Sequence, residues 1–598
     1  MSVSDTVGWQ QLPPDSVLVE SATGPRLFRD PDRIIVARSL AEIPGALRDL
    51  DGAAADGFHT AGFFSYDDGR DLFERPIPLL WFGCYKSWVP FTYSAFKESF
   101  SLRRLETLED ERRARSAFLE ATESIRSGIQ SGLYYQVNYT QRERFEFEGS
   151  PFALFRRLRE LQKGRYSAFV STERVQLLSL SPELFFSIEP EGPDTLQELK
   201  SRVIRAHPMK GTAGRDFDPA ALAGDEKSRA ENFMIVDLMR NDIGRIAKIG
   251  TVAVEALAKV EQLSTVQQMI SIVRGELDGS GGFSRLYESL FPPGSVTGAP
   301  KLAATRTIEK LEPSRGVYTG AIGYAEPGLR KAAFNVAIRT LQIQDQRAIY
   351  GSGCGIVWDS KPELEWNEYL LKKAFLRPAE EDFHLIETMR LDKGRIELLS
   401  SHLERLKRSA REFAMELPER AILEAVQIHV EQARERIRKQ SKDPSISAPA
   451  LRVRLALYQH GRFEVQVQAA PEDSGKGVRL LISPESIDSQ DVFRRHKSSQ
   501  RQSYDAELRR ARELGFDDVL FRNEKGEFVE TAIGNILILV DGVYYSPPVE
   551  SGALPGVFLE SLGKKNQLKR RAIGRAELES GFVCNAFRGL RPIAAISE

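Results

Sequence analysis

Three glycine-punctuated apolar runs in succession, Thr319–Tyr324, Phe334–Thr340 and Tyr350–Val357, constrain this chain more than any other feature. Each reads as a strand, and their glycines let a ligand or a neighbouring backbone come close. The segment Asp359–Phe375 follows as a closing helix, and then Leu376–Asp382, polar and proline-containing, interrupts the periodicity. A domain is therefore expected over residues 1–376, a linker over 377–382 and a second domain over 383–598. At 598 residues the chain is too long for a single core.

Upstream, short strands at Ser16–Glu20, Arg33–Ala37 and Ala61–Tyr66 surround a helix near 39–50. A charged helix over 107–131 precedes a strand over Gly132–Thr140, and a hairpin over 167–180 leads into Ser181-Pro182-Glu183. In the second domain, helices are expected at 400–415, 418–440 and 504–514. Strands are expected at 451–458 and 463–469, with a strand–turn–strand over Asp518–Glu530. Turn chemistry marks Asp392–Gly394, and Lys439–Pro444 reads as an exposed loop.

The formal net charge of −1 gives no electrostatic reason to expect nucleic acid or an anionic membrane as partner. The three cysteines, Cys84, Cys354 and Cys584, are widely separated and show no metal-ligand spacing. The opening residues form no signal peptide, and no apolar run would span a bilayer. A cytoplasmic protein is expected.

Two features carry chemistry. In His207-Pro-Met-Lys210-Gly-Thr212, a lysine sits between a proline and a glycine, suggesting an amine held on a turn at a strand end. Alone, such a lysine is ordinarily solvated. Glu365 and Glu368, three apart on the closing helix, project from one face. Completed by waters and a substrate carboxylate, their oxygens suit Mg²⁺.

These features do not stand alone. Gln136-Val-Asn-Tyr-Thr140, Ser181-Pro-Glu183, Pro208–Thr212, Glu231 with Val236–Asp242, Ser295–Lys301, Ala337–Thr340 and Gly353–Glu365 occur in one order. Together they resemble the chorismate-utilising enzymes over roughly 60–376. The resemblance implies an α+β fold of large antiparallel sheets flanked by helices. It implies Glu183 as the general acid and Glu231, Glu365 and Glu368 as the holders of Mg²⁺ on the ring carboxylate. Arg339 and the Gly353–Gly355 backbone would grip the other carboxylate. For Thr297, substrate binding and structural capping are both open. Isochorismate-forming relatives carry a lysine base where this chain has Gln136. Anthranilate synthases carry alanine where it has Lys210, and the lysine resembles aminodeoxychorismate synthase, whose internal amine would add at C2 before ammonia enters at C4. Gln268, where several relatives have histidine, is a departure. Cys354 lacks a nucleophile elbow and reads as strand packing, so ammonia is expected from solution or from a separate amidotransferase subunit.

In the second domain, His402-Leu-Glu-Arg405, His496-Lys497, Tyr504, Glu530 with Asn535, and Leu554-Pro-Gly-Val557 resemble the class IV pyridoxal-phosphate enzymes over about 382–598. The resemblance implies a two-subdomain α/β fold, with a homodimer through this domain as an open possibility. Lys497 would hold the cofactor and shuttle a proton, and Glu530 would keep the pyridine nitrogen protonated. Arg405 with the amides around Gly556 and Val557 would hold the phosphate, and Tyr504 would contact the ring oxygen. Asn535 and Asn585 would line the pocket. The family's arginine after Leu-Pro-Gly is Leu559 here, and the tail Phe582–Phe587 resembles the lyases. The whole reads as an enzyme that makes 4-aminobenzoate, upstream of folate. The alternative is an anthranilate synthase fused to an amino-acid transaminase.

Overall fold

In the computed structural model the described residues are 12–598, apart from 94–99, 163, 192–200, 215–218, 220–223, 263–265, 280–281, 381–382, 393–394, 441–449, 471–476 and 566. The chain divides into two compact units, Met1–Leu376 and Arg377–Glu598.

Two ten-stranded sheets, antiparallel at every described pairing, form the first unit. One sheet has next to one edge the long strand Gln136–Gly149, paired along its length with Arg347–Ile356 so that Gly353 faces Thr140 and Gly355 faces Asn138. The other runs from Met209–Gly214 through Val266–Glu276, Arg202–Ala206 and Leu184–Pro190 to Ala332–Val336 and beyond. Helices Ile43–Ala55 and Glu226–Gly244 bury Leu47, Leu50, Ile235, Val236 and Met239 against the apolar face of this second sheet. At about 1.5–3 kcal/mol per fully buried aliphatic or aromatic side chain, that layer supplies a large share of the folding drive. The helix Pro362–Lys373 packs Trp366 and Tyr369 onto Cys354, Ile356 and Phe118, giving Cys354 the packing role expected of it.

Three local expectations need correction. The run 334–340 is not one strand. Ala332–Val336 belongs to one sheet and Thr340–Gln344 to the other, and the chain passes between them at Ala337–Arg339. Arg339 sits at the crossing with φ 48°, a left-handed conformation costly for a residue with a Cβ. Lys210 is not on a turn but is the second residue of the strand Met209–Gly214, opposite Met269. The strand expected from Gly132 begins at Gln136 and continues to Gly149, because pairing with Arg347–Ile356 extends it.

The second unit has a four-stranded antiparallel sheet (His384–Asp392, Arg395–Ile396, Leu451–Tyr458, Phe463–Ala469) covered by helices Leu399–Glu412 and Glu419–Gln440. Beside it lies an eight-stranded mixed sheet in which Val478–Ile487 pairs in parallel with Asp518–Asn523 and with Gly589–Ser597. These two layers agree with the expected pair of α/β subdomains. Ala374–Ala379 forms a 3₁₀ turn where a linker was expected, with Leu376 and Ala379 buried. Residues 381–382 of that linker, 393–394 of the expected turn and 441–444 of the expected loop lie outside the described residues.

Candidate active sites

In the first unit, Gln136 opens its strand fully buried, and neither polar atom of its carboxamide has a hydrogen-bond partner. Such a group is costly unless something fills its valences. Its neighbour explains the geometry. A Cβ placed on Gly355 would lie 2.1 Å from Gln136 Nε2 and 3.3 Å from Lys210 Nζ. The strand register thus brings the carboxamide and the Lys210 amine to the same bare stretch of backbone.

Glu183, held at the entrance to the strand Leu184–Pro190, is buried. Burial pushes its pKa up to about 7, while a hydrogen bond with Ser295 and the charges of Lys210 and Lys372 oppose the rise. A carboxyl poised near neutrality is suited to giving a proton to a leaving group. The Arg339 carbonyl accepts from Leu180 N (3.0 Å), but its guanidinium has no hydrogen-bond or ion-pair partner among the described residues, and burial lowers its pKa. Thr297 is buried with its hydroxyl donating to Pro293 O (3.1 Å) and Gly294 O (3.3 Å), which favours the capping reading.

The carboxylates of Glu365 and Glu368 and the thiol of Cys354 offer ligand atoms within 4.8 Å of one another. Glu231, half-buried on the helix Glu226–Gly244, is not in that group. The two carboxylates fit Mg²⁺, whereas a thiol does not. Cys354 is instead occupied, its Sγ lying 3.3 Å from Glu365 O.

In the second unit a cavity of about 480 Å³ is lined by Lys497, Arg405, Tyr504, Glu530, Asn535 and Gly556, among others. Burial, followed by the Arg405 charge, brings the Lys497 pKa down to about 8, so a sizeable fraction of its amine is neutral near pH 7 to 8. Burial raises Glu530 to about 7. Its carboxylate accepts from Tyr504 Oη (2.9 Å), Leu554 N (3.0 Å) and Asn535 Nδ2 (3.4 Å). The Tyr504 hydroxyl thus ties the Glu530 carboxylate to the cavity wall. Asn535 also donates to Leu554 O (2.9 Å), and Asn585 donates to Ile533 O (3.0 Å), so both buttress the cavity wall. A Cβ on Gly556 would lie 2.0 Å from Asn535 Oδ1, so any side chain before the helix Val557–Lys564 would displace the Asn535 amide. Leu559 is buried against Leu537 and Cys584, a packing role.

Residues 92–378 match the chorismate binding enzyme family, and residues 384–596 match the class IV aminotransferases. The chain thus carries a chorismate-binding region followed by a class IV aminotransferase region. An aminodeoxychorismate synthase component 1 from Bacillus subtilis (strain 168) is 36% identical over 266 residues, covering 43% of this chain and 54% of that protein. An anthranilate synthase component 1 from Cereibacter sphaeroides is 38% identical over 272 residues, covering 44% of this chain and 52% of its own. A solved fold IV transaminase from Curtobacterium pusillum is 25% identical over 37% of this chain and 81% of its own, with a TM-score of 0.32. The chain spans about half the length of the curated relatives it matches.

The class IV region implies pyridoxal phosphate, and its cavity fits that group. It offers a lysine of lowered pKa, a buried carboxyl for the ring nitrogen, an arginine, and a helix N-terminus opened by a glycine where a side chain would displace the Asn535 amide.

Two residues escaped the sequence reading. Lys372, one helical turn beyond Glu368, donates to Gly353 O (2.8 Å) and pairs with Glu368 (2.7 Å), placing a cation at the glycine strand of the chorismate-binding region. The i,i+4 spacing from Glu368 was the available signal. In the class IV region, Glu387 is buried and bound by Arg405 Nε (2.9 Å), Arg405 Nη2 (2.6 Å) and His402 Nδ1 (2.6 Å). Burial opposes ionisation, but the Arg405 charge and the hydrogen bonds from His402 and Arg405 hold its pKa down to about 2. No pattern in its own segment marks it.

Proposed function

We propose that the chain aminates chorismate at C4 and then eliminates pyruvate from the product to leave 4-aminobenzoate. The observation that carries the reading is the Lys210 amine beside Gly355 and Gln136, with Glu183 poised as an acid at about pH 7. Gln136 carries no charge at any pH and cannot serve as the base that water attack at C2 would need. The Lys210 amine adds at C2, the C1–C2 π electrons shift to C1–C6 and the C5–C6 π electrons to C4–C5, and the 4-hydroxyl leaves as water with the Glu183 proton. Ammonia then adds at C4, the π electrons return to C5–C6 and C1–C2 as the C2–N bond breaks, Lys210 leaves as the amine, and the surplus proton of the new ammonium goes back to Glu183. Arg339, its guanidinium without a partner among the described residues, takes a substrate carboxylate. Glu365 and Glu368, with Glu231 from the helix Glu226–Gly244, would hold Mg²⁺, which would supply charge neutralisation at the ring carboxylate.

The intermediate's amine and C4 proton suit the second site. Bound pyridoxal phosphate supplies an electron sink. Arg405 and the helix start at Gly556–Val557 would hold its phosphate, and Glu530, steadied by Tyr504 and Asn535, would keep its ring nitrogen protonated. Lys497 Nζ takes the proton from C4 and returns it elsewhere as pyruvate departs. The partners that follow are chorismate and a separate amidotransferase subunit supplying ammonia. We place the reaction in the cytoplasm and read a homodimer through the class IV region. Among the described residues no helix is long and apolar enough to cross a membrane.

Product analysis tests this reading. Chorismate, Mg²⁺ and ammonium salt should give 4-aminobenzoate and pyruvate in equal amounts, without 2-aminobenzoate and without stimulation by a keto acid. Lys497→Ala should halt the sequence with aminodeoxychorismate accumulating. Appearance of 2-aminobenzoate, or a requirement for a keto acid, would establish the anthranilate synthase–transaminase alternative instead.

A further inference from the structure

The side chain of Arg315 is buried at 1% exposure, and each of its five N–H donors is used. Nε and Nη2 grip Glu312 as a fork, at 3.0 Å to Oε2 and 2.7 Å to Oε1. The other three leave the ion pair. Nη2 reaches Asn138 O (2.8 Å), and Nη1 reaches Val296 O (2.9 Å) and Thr319 Oγ1 (3.2 Å). Glu312 is saturated from the far side by Thr140 N (2.8 Å), the Thr140 hydroxyl and Arg142 Nη2 (3.3 Å). The Tyr66 ring covers the guanidinium, its centroid 4.6 Å from Cζ.

The acceptors' places in the chain turn this from a packing feature into a functional one. Asn138 lies two residues after Gln136 on the same strand. Val296 separates Ser295, which hydrogen-bonds the Glu183 carboxyl, from Thr297. The same two segments are stitched directly by Tyr135 N to Ala299 O (2.7 Å) and Asn138 N to Thr297 O (2.8 Å). Thr319, with φ 64°, stands just before the glycine-bearing strand Ala321–Ala325. One rigid planar group therefore sets the spacing of three backbones, one of which carries the Gln136 carboxamide while another, through Ser295, holds the Glu183 acid. A lysine, with three donors on a single atom, cannot satisfy these acceptors together.

We propose that Arg315 is a positioning residue for the chorismate site, its five-donor fork fixing the Gln136 strand against the Ser295–Thr297 loop. This rests on the functional reading above only in naming the substrate as chorismate.

The test uses the full-length holoenzyme with Mg²⁺. Chorismate affinity is measured by titration calorimetry without ammonia, and kcat and KM are measured with ammonium salt. Displacing catalytic groups by as little as 1 Å can cost about 10²-fold, so Arg315→Lys should lower kcat/KM for chorismate by roughly that factor. Turnover of supplied aminodeoxychorismate should stay at the wild-type rate. The deciding measurement is a double-mutant cycle with Thr297→Ala. If Arg315 acts through the loop, the two losses in kcat/KM are non-additive, and the double variant is little worse than Arg315→Lys alone. Fully additive losses, or unchanged affinity and kcat/KM in Arg315→Lys, would overturn the proposal. Should Arg315→Lys fail to fold, Thr319→Val removes only one acceptor and enters the same cycle under the same criterion. If the wild type binds chorismate but releases 2-aminobenzoate, the proposed function falls, while the affinity measurements still decide the role of Arg315.

Discussion

Replacing Glu183 by glutamine separates what this carboxyl does for the reaction from what it does to stability. Its pKa is raised from the ordinary 4.5 of a glutamate to about 7, chiefly by burial. The folded state thus binds this proton more tightly than the unfolded chain does. The stability associated with the group is fully present below pH 4.5 and is lost as pH rises through about 7. A shift of that size corresponds to about 3 kcal/mol. Glutamine keeps the shape and discards the ionisation. Glu183→Gln should therefore be more stable than wild type at pH 8 by up to about 3 kcal/mol, while at pH 5 the difference largely vanishes. Activity moves the other way. Wild-type chorismate consumption should fall tenfold per pH unit above about 7, as the proton to be donated disappears. The variant should lose about 10²- to 10⁴-fold and show no such limb. Denaturant unfolding at the two pH values and initial rates from pH 5.5 to 9 provide both readouts. Equal stabilisation at both pH values would refute the burial argument, and an alkaline limb retained in the variant would remove Glu183 as the proton donor.

Lys210→Ala should lower chorismate amination by about 10²-fold or more, roughly 2.7 kcal/mol of barrier, while supplied aminodeoxychorismate is still turned over. Unchanged amination would take the lysine out of the chemistry. Chelation by EDTA should stop chorismate consumption and leave the second step intact, because Glu365 and Glu368 belong to the first site alone. Equal loss of both steps would contradict that division. Gly355→Ala would place a methyl group 2.1 Å from Gln136 Nε2. It should weaken chorismate affinity at least tenfold with little change in the second step, and wild-type affinity in calorimetry would show that the bare backbone is not needed.

Residue types and their order were enough to determine the kind of protein this is. Alternating apolar runs, glycine punctuation and helical charge spacing pointed to large antiparallel sheets followed by an α/β class IV region. Lysine, glutamate and arginine in fixed blocks named the chemistry, because reactivity resides in the side chain itself. The tertiary structure alone decided where the chain changes sheets. The run 334–340 has uniform strand propensity, yet it breaks at Ala337–Arg339 because the strands on either side pair in different sheets. The same holds for Lys210, which a proline and a glycine suggested was on a turn, until pairing with Val266–Glu276 drew it into a strand. It holds most of all for Arg315, whose partner Asn138 is 177 residues away in sequence. Nothing local distinguishes that arginine from the chain's many solvated ones. Its importance lies in burial and in acceptors brought to within 3.2 Å from distant segments, and local periodicity carries no distances across the fold.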